Sequence, residues 1–205
     1  MSTHLFLVRH AEVEEKYQRV FGGRIDMNLS ARGLRQAEVL GKFLPGLKPH
    51  AIYQSPMKRV QQTFAPFLKN GAPQPTVLPE MREVDFGDWT GLVWEQVKEK
   101  FGVNPFDWLD QLENGLIPNA ERVAGYRTRV ESCLQRAIRE QPERNVILAC
   151  HGGVIRMMLS ILINLPFAKT SAFEIDYASV THVELRDHRV IIQLLNYTPW
   201  AGLVT

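Results

Sequence analysis

Two apolar runs in this chain each end on a histidine. Leu5-Phe6-Leu7-Val8 leads into Arg9-His10, and Asn145-Val146-Ile147-Leu148-Ala149-Cys150 leads into His151. Both runs read as strands buried on both faces, the pattern of a parallel sheet. Ligands of open α/β sheets bind beyond the carboxyl ends of the strands, so both imidazoles are expected at that edge. A single strand-terminal histidine is more often structural than catalytic, but two in one chain shift the balance towards chemistry. Neutral imidazole is nucleophilic near neutral pH and can take a phosphoryl group covalently. Arginine's planar fork suits phosphate oxygens. Arg9 stands beside His10, and Arg59 lies one turn into Ser55-Pro56-Met57-Lys58-Arg59. A phosphoryl group in flight needs cations at its equatorial oxygens. Glu83, in Arg82-Glu83-Val84-Asp85-Phe86-Gly87, adds one acid. Together these five residues outline a phosphoryl-transfer site that needs no metal.

Competing chemistries are weaker. Cys150 and His151 are neighbours in sequence, but adjacent strand residues point to opposite faces, so they do not make a thiol–imidazole pair. A buried, inert thiol fits Cys150 better. No HxH, HExxH or CxxC spacing supplies a metal site, and neither a Walker A loop nor a GxGxxG turn occurs. No metal and no cofactor are therefore expected. His4, His50, His182 and His188 read as surface or satisfied core histidines.

The elements that must position these groups alternate between strand and helix. Ser30 is a fitting N-cap for a helix carrying Leu34, Ala37, Leu40 and Leu44, which Pro45-Gly46 ends. Ala51-Ile52-Tyr53 reads as a strand. Ser55-Pro56 opens a helix towards Leu68, and Thr76-Val77-Leu78 reads as a third strand. Glu121 to Ile138 is helical, and Gly152-Gly153 turns the strand before it into a helix reaching Leu162. Ser179 to Leu185 and Val190 to Leu195 form a hairpin through Arg186-Asp187-His188. The expected fold is α/β, a three-layer sandwich with a mainly parallel central sheet flanked by helices. Residues from about 88 to 118 differ in texture. The segment from Phe86 to Pro118 holds Trp89, Trp94 and Trp108, three of the four tryptophans, and reads as a helical insert over the active site. With Phe106 these rings could stack a sugar or base, although core packing of the insert is the plainer reading. No repeat or low-complexity linker divides the chain, so a single domain over 1–205 is expected.

Composition narrows the class. The chain has 205 residues, 45% of them hydrophobic and 22% charged, which excludes collagen, coiled coil and wholesale disorder. Its net charge is +2, from 24 basic and 22 acidic residues, without the basic excess of a dedicated nucleic-acid binder. No apolar run is long enough to span a bilayer, and the first one stops too soon for a signal-peptide core. Neither nucleic acid nor membrane is an expected partner, and the cytoplasm, with reduced thiols, is the expected compartment. Leu203-Val204 and the final hairpin offer an edge on which two copies could pair as a homodimer.

The sequence resembles the histidine phosphatase superfamily, also called phosphoglycerate mutase-like. Leu7-Val8-Arg9-His10-Ala11-Glu12 is similar to its signature, and Asn28 to Ala37 is similar to its next helix. Tyr53 to Thr63, Glu83 to Gly91 and Cys150-His151-Gly152-Gly153-Val154-Ile155-Arg156 resemble its later blocks. The resemblance implies that His10 is the nucleophile, with Arg9, Arg59 and His151 on the phosphoryl oxygens. It implies that Glu83 protonates the leaving alkoxide and then activates water. The Gly152 N–H, at a helix start, could add a dipole contact. Ala11 stands where the family commonly has glycine, so this loop must use a conformation open to both residues. Val13-Glu14-Glu15-Lys16 lacks the phosphate-contacting asparagine of many members, for which Gln18 or Arg19 could substitute. Glu12, Glu14 and Glu15 would disfavour a highly anionic substrate unless they face away.

The length and the segments Phe21 to Asp26 and Phe86 to Gly91 look like the small phosphatase branch, which includes broad-specificity and α-ribazole-phosphate phosphatases. The resemblance then implies metal-independent hydrolysis of a small phosphorylated metabolite through phosphohistidine. A cofactor-dependent phosphoglycerate mutase and a non-catalytic phosphate-binding regulatory module are the alternatives.

Overall fold

The computed structural model describes residues 2–204. Six strands form one sheet: β1 (Thr3–Arg9), β2 (Ala51–Gln54), β3 (Thr76–Val77), β4 (Asn145–Cys150), β5 (Val180–Arg186) and β6 (Arg189–Tyr197). Their order across the sheet is β3-β2-β4-β1-β5-β6. The β1–β4, β2–β4 and β2–β3 pairings are parallel, whereas β5 pairs antiparallel with β1 and with β6. The sheet is thus mixed, with its parallel part at the centre and its antiparallel hairpin at one edge.

The two apolar runs lie side by side in the middle of this sheet, where both faces are covered. Leu5, Leu7, Val146, Leu148 and Cys150 enter one core; Phe6, Val8, Ile147 and Ala149 enter the other. This period-two division explains why the runs have no polar face. The second core is closed by Ala37 and Leu40 of α1 (Ala31–Phe43) and by Val60, Phe64 and Phe67 of α2 (Lys58–Leu68). The first is closed by the insert helices α3 (Trp94–Phe101) and α4 (Trp108–Glu113), then by α5 (Val123–Glu140) and α6 (Gly152–Leu162). Helices on both faces complete the three layers.

Local signals set most boundaries. The Ser30 hydroxyl accepts a 2.9 Å bond from the Gly33 N–H and caps α1. Gly33 itself is required by close approach, since a Cβ there would lie 2.0 Å from the Glu12 carbonyl oxygen. The start of α2 differs from expectation. It begins at Lys58 with Met57 as cap residue, while the Ser55 hydroxyl accepts from the Met57 N–H at 3.3 Å and meets His151 across the sheet. The strand expected over residues 76–78 is only Thr76–Val77, an exposed edge. At the other edge, β6 runs on to Tyr197 and leaves Val190, Leu194, Leu195 and Tyr197 exposed. No helix among the described residues is long and apolar enough to cross a membrane.

Candidate active site

The parallel register of β1 and β4 pairs Arg9 with Cys150, so His10 and His151 leave the sheet at the same level. Their ring centroids are 5.2 Å apart. His10 is 6% exposed and His151 is fully buried. Burial, with Arg59 and Arg9 close to His10, holds its pKa well below the ordinary value. Burial again acts first on His151, followed by Arg59, His10 and Arg9, with the same direction. Both imidazoles are therefore neutral at pH 7.

Hydrogen bonds fix their tautomers. His10 Nδ1 lies 2.8 Å from the Ala11 carbonyl oxygen, which can only accept, so Nδ1 carries the proton and Nε2 keeps its lone pair. Arg59 Nε donates to that Nε2 at 3.3 Å and to His151 Nδ1 at 3.2 Å. Nδ1 of His151 is thus an acceptor, and its Nε2 donates to the Ser55 hydroxyl at 2.8 Å. The rest of the Arg59 guanidinium is tied to the Ile25 carbonyl at 2.8 Å and the Gly23 carbonyl at 3.0 Å. Arg59 is 2% exposed, and burial draws its pKa down to about 10, so it stays cationic at neutral pH.

Arg9 donates to the Ile175 carbonyl at 2.6 Å, and its guanidinium carbon sits 4.0 Å over the Tyr177 ring. Its Nε is buried with no hydrogen-bond partner. A buried orphan donor of this kind is expensive unless a ligand satisfies it. Gly152, the first residue of α6, lines the same cleft, where a helix N-terminus favours an anion.

Glu83 faces this group from the opposite side. Its carboxylate accepts from the Val84 N–H at 3.0 Å, the Gly153 N–H at 3.1 Å and the Tyr126 hydroxyl at 3.4 Å. Gly153 must be glycine for this arrangement, because a Cβ would stand 2.5 Å from Glu83 Oε1. The segment carrying Glu83 is clamped from α5. Arg129 donates to the carbonyls of Glu80, Arg82 and Glu83, and it is anchored by Glu121 at 2.6 Å.

All six candidate residues, Arg9, His10, Arg59, Glu83, His151 and Gly152, thus gather at one place. The hydroxyl of Thr63 ties them together, accepting from the Ala11 N–H at 2.9 Å and donating to the Arg59 carbonyl at 2.7 Å. Ala11 is not among the positive-φ residues, so its methyl costs no backbone strain. Glu12 turns away from the cleft, bound by Ser30 and Arg32 at 2.7 Å each, and Glu14 lies near Lys16 at 3.7 Å. Neither residue offered for the missing asparagine takes that place. Gln18 donates to the Val13 carbonyl, while Arg19 pairs with Glu95 at the surface, and neither lines the cleft.

Ser55, Thr63, Gly153, Tyr126 and Arg129 were not foreseen as part of this arrangement. Ser55 and Gly153 lie within the motif blocks, so their positions carried a signal. Arg129 did not, being one of several arginines on α5. Among the described residues no group of three or more His, Cys, Asp or Glu side chains could hold a metal ion. The fixed lone pair, cations, helix N-terminus and carboxylate form an arrangement able to transfer a phosphoryl group.

The model of the histidine phosphatase superfamily (branch 1) matches residues 5–198. The chain belongs to that family. Phosphoserine phosphatase 1 of Hydrogenobacter thermophilus is 30% identical over 200 residues, covering 97% of this chain and 94% of the relative. The metal-independent phosphoserine phosphatase of Arabidopsis thaliana is also 30% identical, covering 93% of this chain and 79% of that one. The α-ribazole phosphatase of Shigella flexneri superposes with a TM-score of 0.82 at 24% identity, covering 95% of this chain and 96% of its own, which supports the fold alone. As a phosphatase of this superfamily, the chain is a phosphoric monoester hydrolase.

Proposed function

We propose that this histidine phosphatase hydrolyses a small phosphorylated metabolite through a phosphohistidine at His10, without a metal. The observation that carries the reading is the His10 tautomer. The Ala11 carbonyl holds the Nδ1 proton, which leaves the Nε2 lone pair beside Arg59 and His151.

An incoming phosphate monoester draws Arg59 Nε away from His10 Nε2 and satisfies the orphan Nε of Arg9. A phosphate dianion beside His151 raises the proton affinity of Nδ1, which takes up a proton from solvent and donates it in a hydrogen bond to a phosphoryl oxygen. Glu83 takes up a proton from solvent as the substrate binds. His10 Nε2 then forms the N–P bond as the P–O bond to the leaving group breaks, and the Glu83 carboxyl passes that proton to the leaving oxygen. The Glu83 carboxylate then takes a proton from water, whose oxygen displaces His10 from phosphorus. Phosphate leaves and His10 is neutral again. A positioned acid of this kind contributes about 10²–10⁴-fold, and each oxyanion donor contributes about 10²–10³.

The test is rapid quench at alkaline pH with phosphorus-labelled substrate in the presence of chelator. The expected result is an acid-labile phosphoenzyme that forms and decays at the turnover rate and is absent from His10→Ala. Chelator-sensitive turnover, or label retained by His10→Ala, overturns the reading.

A further inference from the structure

The cleft over the phosphoryl site is much larger than a phosphoryl group, and its two sides differ in chemistry. Its volume of about 470 Å³ lies in the range that encloses drug-sized ligands. Arg9, His10 and Arg59 make its floor cationic. One wall is aromatic, built from Phe21, Phe86, Trp94, Phe106 and Trp108.

The aromatic residues of this region divide by position. Trp89 is 1% exposed, belongs to the core and does not line the cleft. Trp108 meets Phe86 edge-on at 5.3 Å, and Phe86 meets Phe21 edge-on at 5.0 Å, so each ring fixes the next. At the rim, Phe106 rests edge-on against Trp94 at 4.7 Å. Phe106 is 65% exposed and belongs to neither core cluster. Core packing therefore accounts for Trp89 and in part for Trp94 and Trp108, and it leaves Phe106 unexplained. The cationic floor fixes one end of any occupant as the phosphoryl group, which directs the leaving group up this wall.

We propose that the preferred substrate is a phosphomonoester whose leaving group carries a flat aromatic ring, seated against Phe106 and Trp94. The inference rests on the phosphomonoesterase reading above. Ring stacking of this kind is worth about tenfold in binding.

Two pairs of esters isolate the ring from the reactivity of the leaving oxygen. Adenosine 5′-phosphate and ribose 5-phosphate share their leaving alkoxide, and 2-phenylethyl and ethyl phosphate nearly do. The expected result is a preference of about tenfold or more in kcat/KM for the ring-bearing member of at least one pair, expressed mainly in KM. Phe106→Ala and Trp94→Ala should each remove most of that preference and leave the ring-free ester within about twofold. Phe106→Tyr should retain it. Phe106 is exposed, so its variants are expected to fold, and unchanged turnover of the ring-free ester verifies this. Equal kcat/KM within both pairs overturns the inference alone. So does a higher kcat/KM for O-phosphoserine that depends on Arg156, which also lines the cleft. Absence of any His10-dependent turnover overturns it together with the reading on which it rests.

Discussion

The floor of the cleft and its aromatic wall are built on different physical terms. On the floor, side chains rise from ends of the central strands and from α2 and α6, and hydrogen bonds with unique directions hold them. Arg59 alone donates to both imidazoles and to two carbonyls. The wall consists of short helices and turns whose rings touch edge-on, and its outermost ring is largely in solvent. Directional bonds to a buried charge tolerate little change, whereas edge-on ring contacts can be rearranged. On the function proposed above, the floor carries the reaction and the wall selects which ester reaches it.

This contrast can be broken at the floor first. His10→Ala should lower turnover of p-nitrophenyl phosphate by about 10⁴-fold or more, since it removes the nucleophile itself. Residual activity within a hundredfold would mean that the floor is not the reaction centre. Glu83→Gln should lower kcat by about 10²–10⁴-fold with an alkyl phosphate and by much less with p-nitrophenyl phosphate, whose leaving group departs without a proton. Equal losses on both esters would remove Glu83 from the acid role.

Smaller effects are expected from the residues that only position the floor. Gly153→Ala must push the Glu83 carboxylate aside, and a loss of about tenfold to a hundredfold in kcat with little change in KM is expected. Ser55→Ala removes the acceptor of the His151 Nε2 proton and should cost about tenfold. With Arg59 left as the one hydrogen-bond partner holding the ring, the acid limb of the pH–rate profile should shift, and Ser55→Thr should restore it. An unmoved profile would reduce Ser55 to packing.

The smallest effect is thermodynamic and separates floor from wall by pH. Both buried histidines have folded pKa values below the unfolded value of 6.5. As pH falls below 6.5, the unfolded chain binds protons that the native chain refuses. Stability then decreases with falling pH by about 1.4 kcal/mol per unit for each histidine, until the folded pKa is reached. Denaturant titrations between pH 7 and pH 5 should show this slope, and His10→Asn should remove one histidine's share of it. Phe106→Ala should leave the slope unchanged. The depressed pKa also keeps His10 unprotonated, so turnover should persist below pH 6.5 rather than decline there.

The same difference governs how much could be read from the sequence. The floor was legible because its carriers obey strong local rules. β1 and β4 are buried on both faces and so lack polar positions, and each ends on one of the two histidines that meet in the cleft. Ser30 caps α1, and Gly152-Gly153 starts α6. What escaped depends on contacts between distant segments. Ser55-Pro56 has the local form of a helix start, yet the Ser55 hydroxyl serves an imidazole nearly a hundred positions later. Arg129 looks like any exposed arginine on an amphipathic helix until the Glu80–Glu83 carbonyls are placed against it. In the wall, three tryptophans shared one texture, and only packing separated Trp89 in the core from Trp94 and Trp108 at the cleft.

The pairing of Arg9 with Cys150 also bears on how the chain is made. β1 is synthesised long before β4, the parallel partner that covers its central edge, and its sequence is apolar on both faces. Until β4 arrives, β1 is a sticky, unpaired strand that favours association with other chains. No nascent fragment that stops before residue 151 can possess the two-imidazole floor, so the site cannot assemble until β4 and the histidine after it have been made.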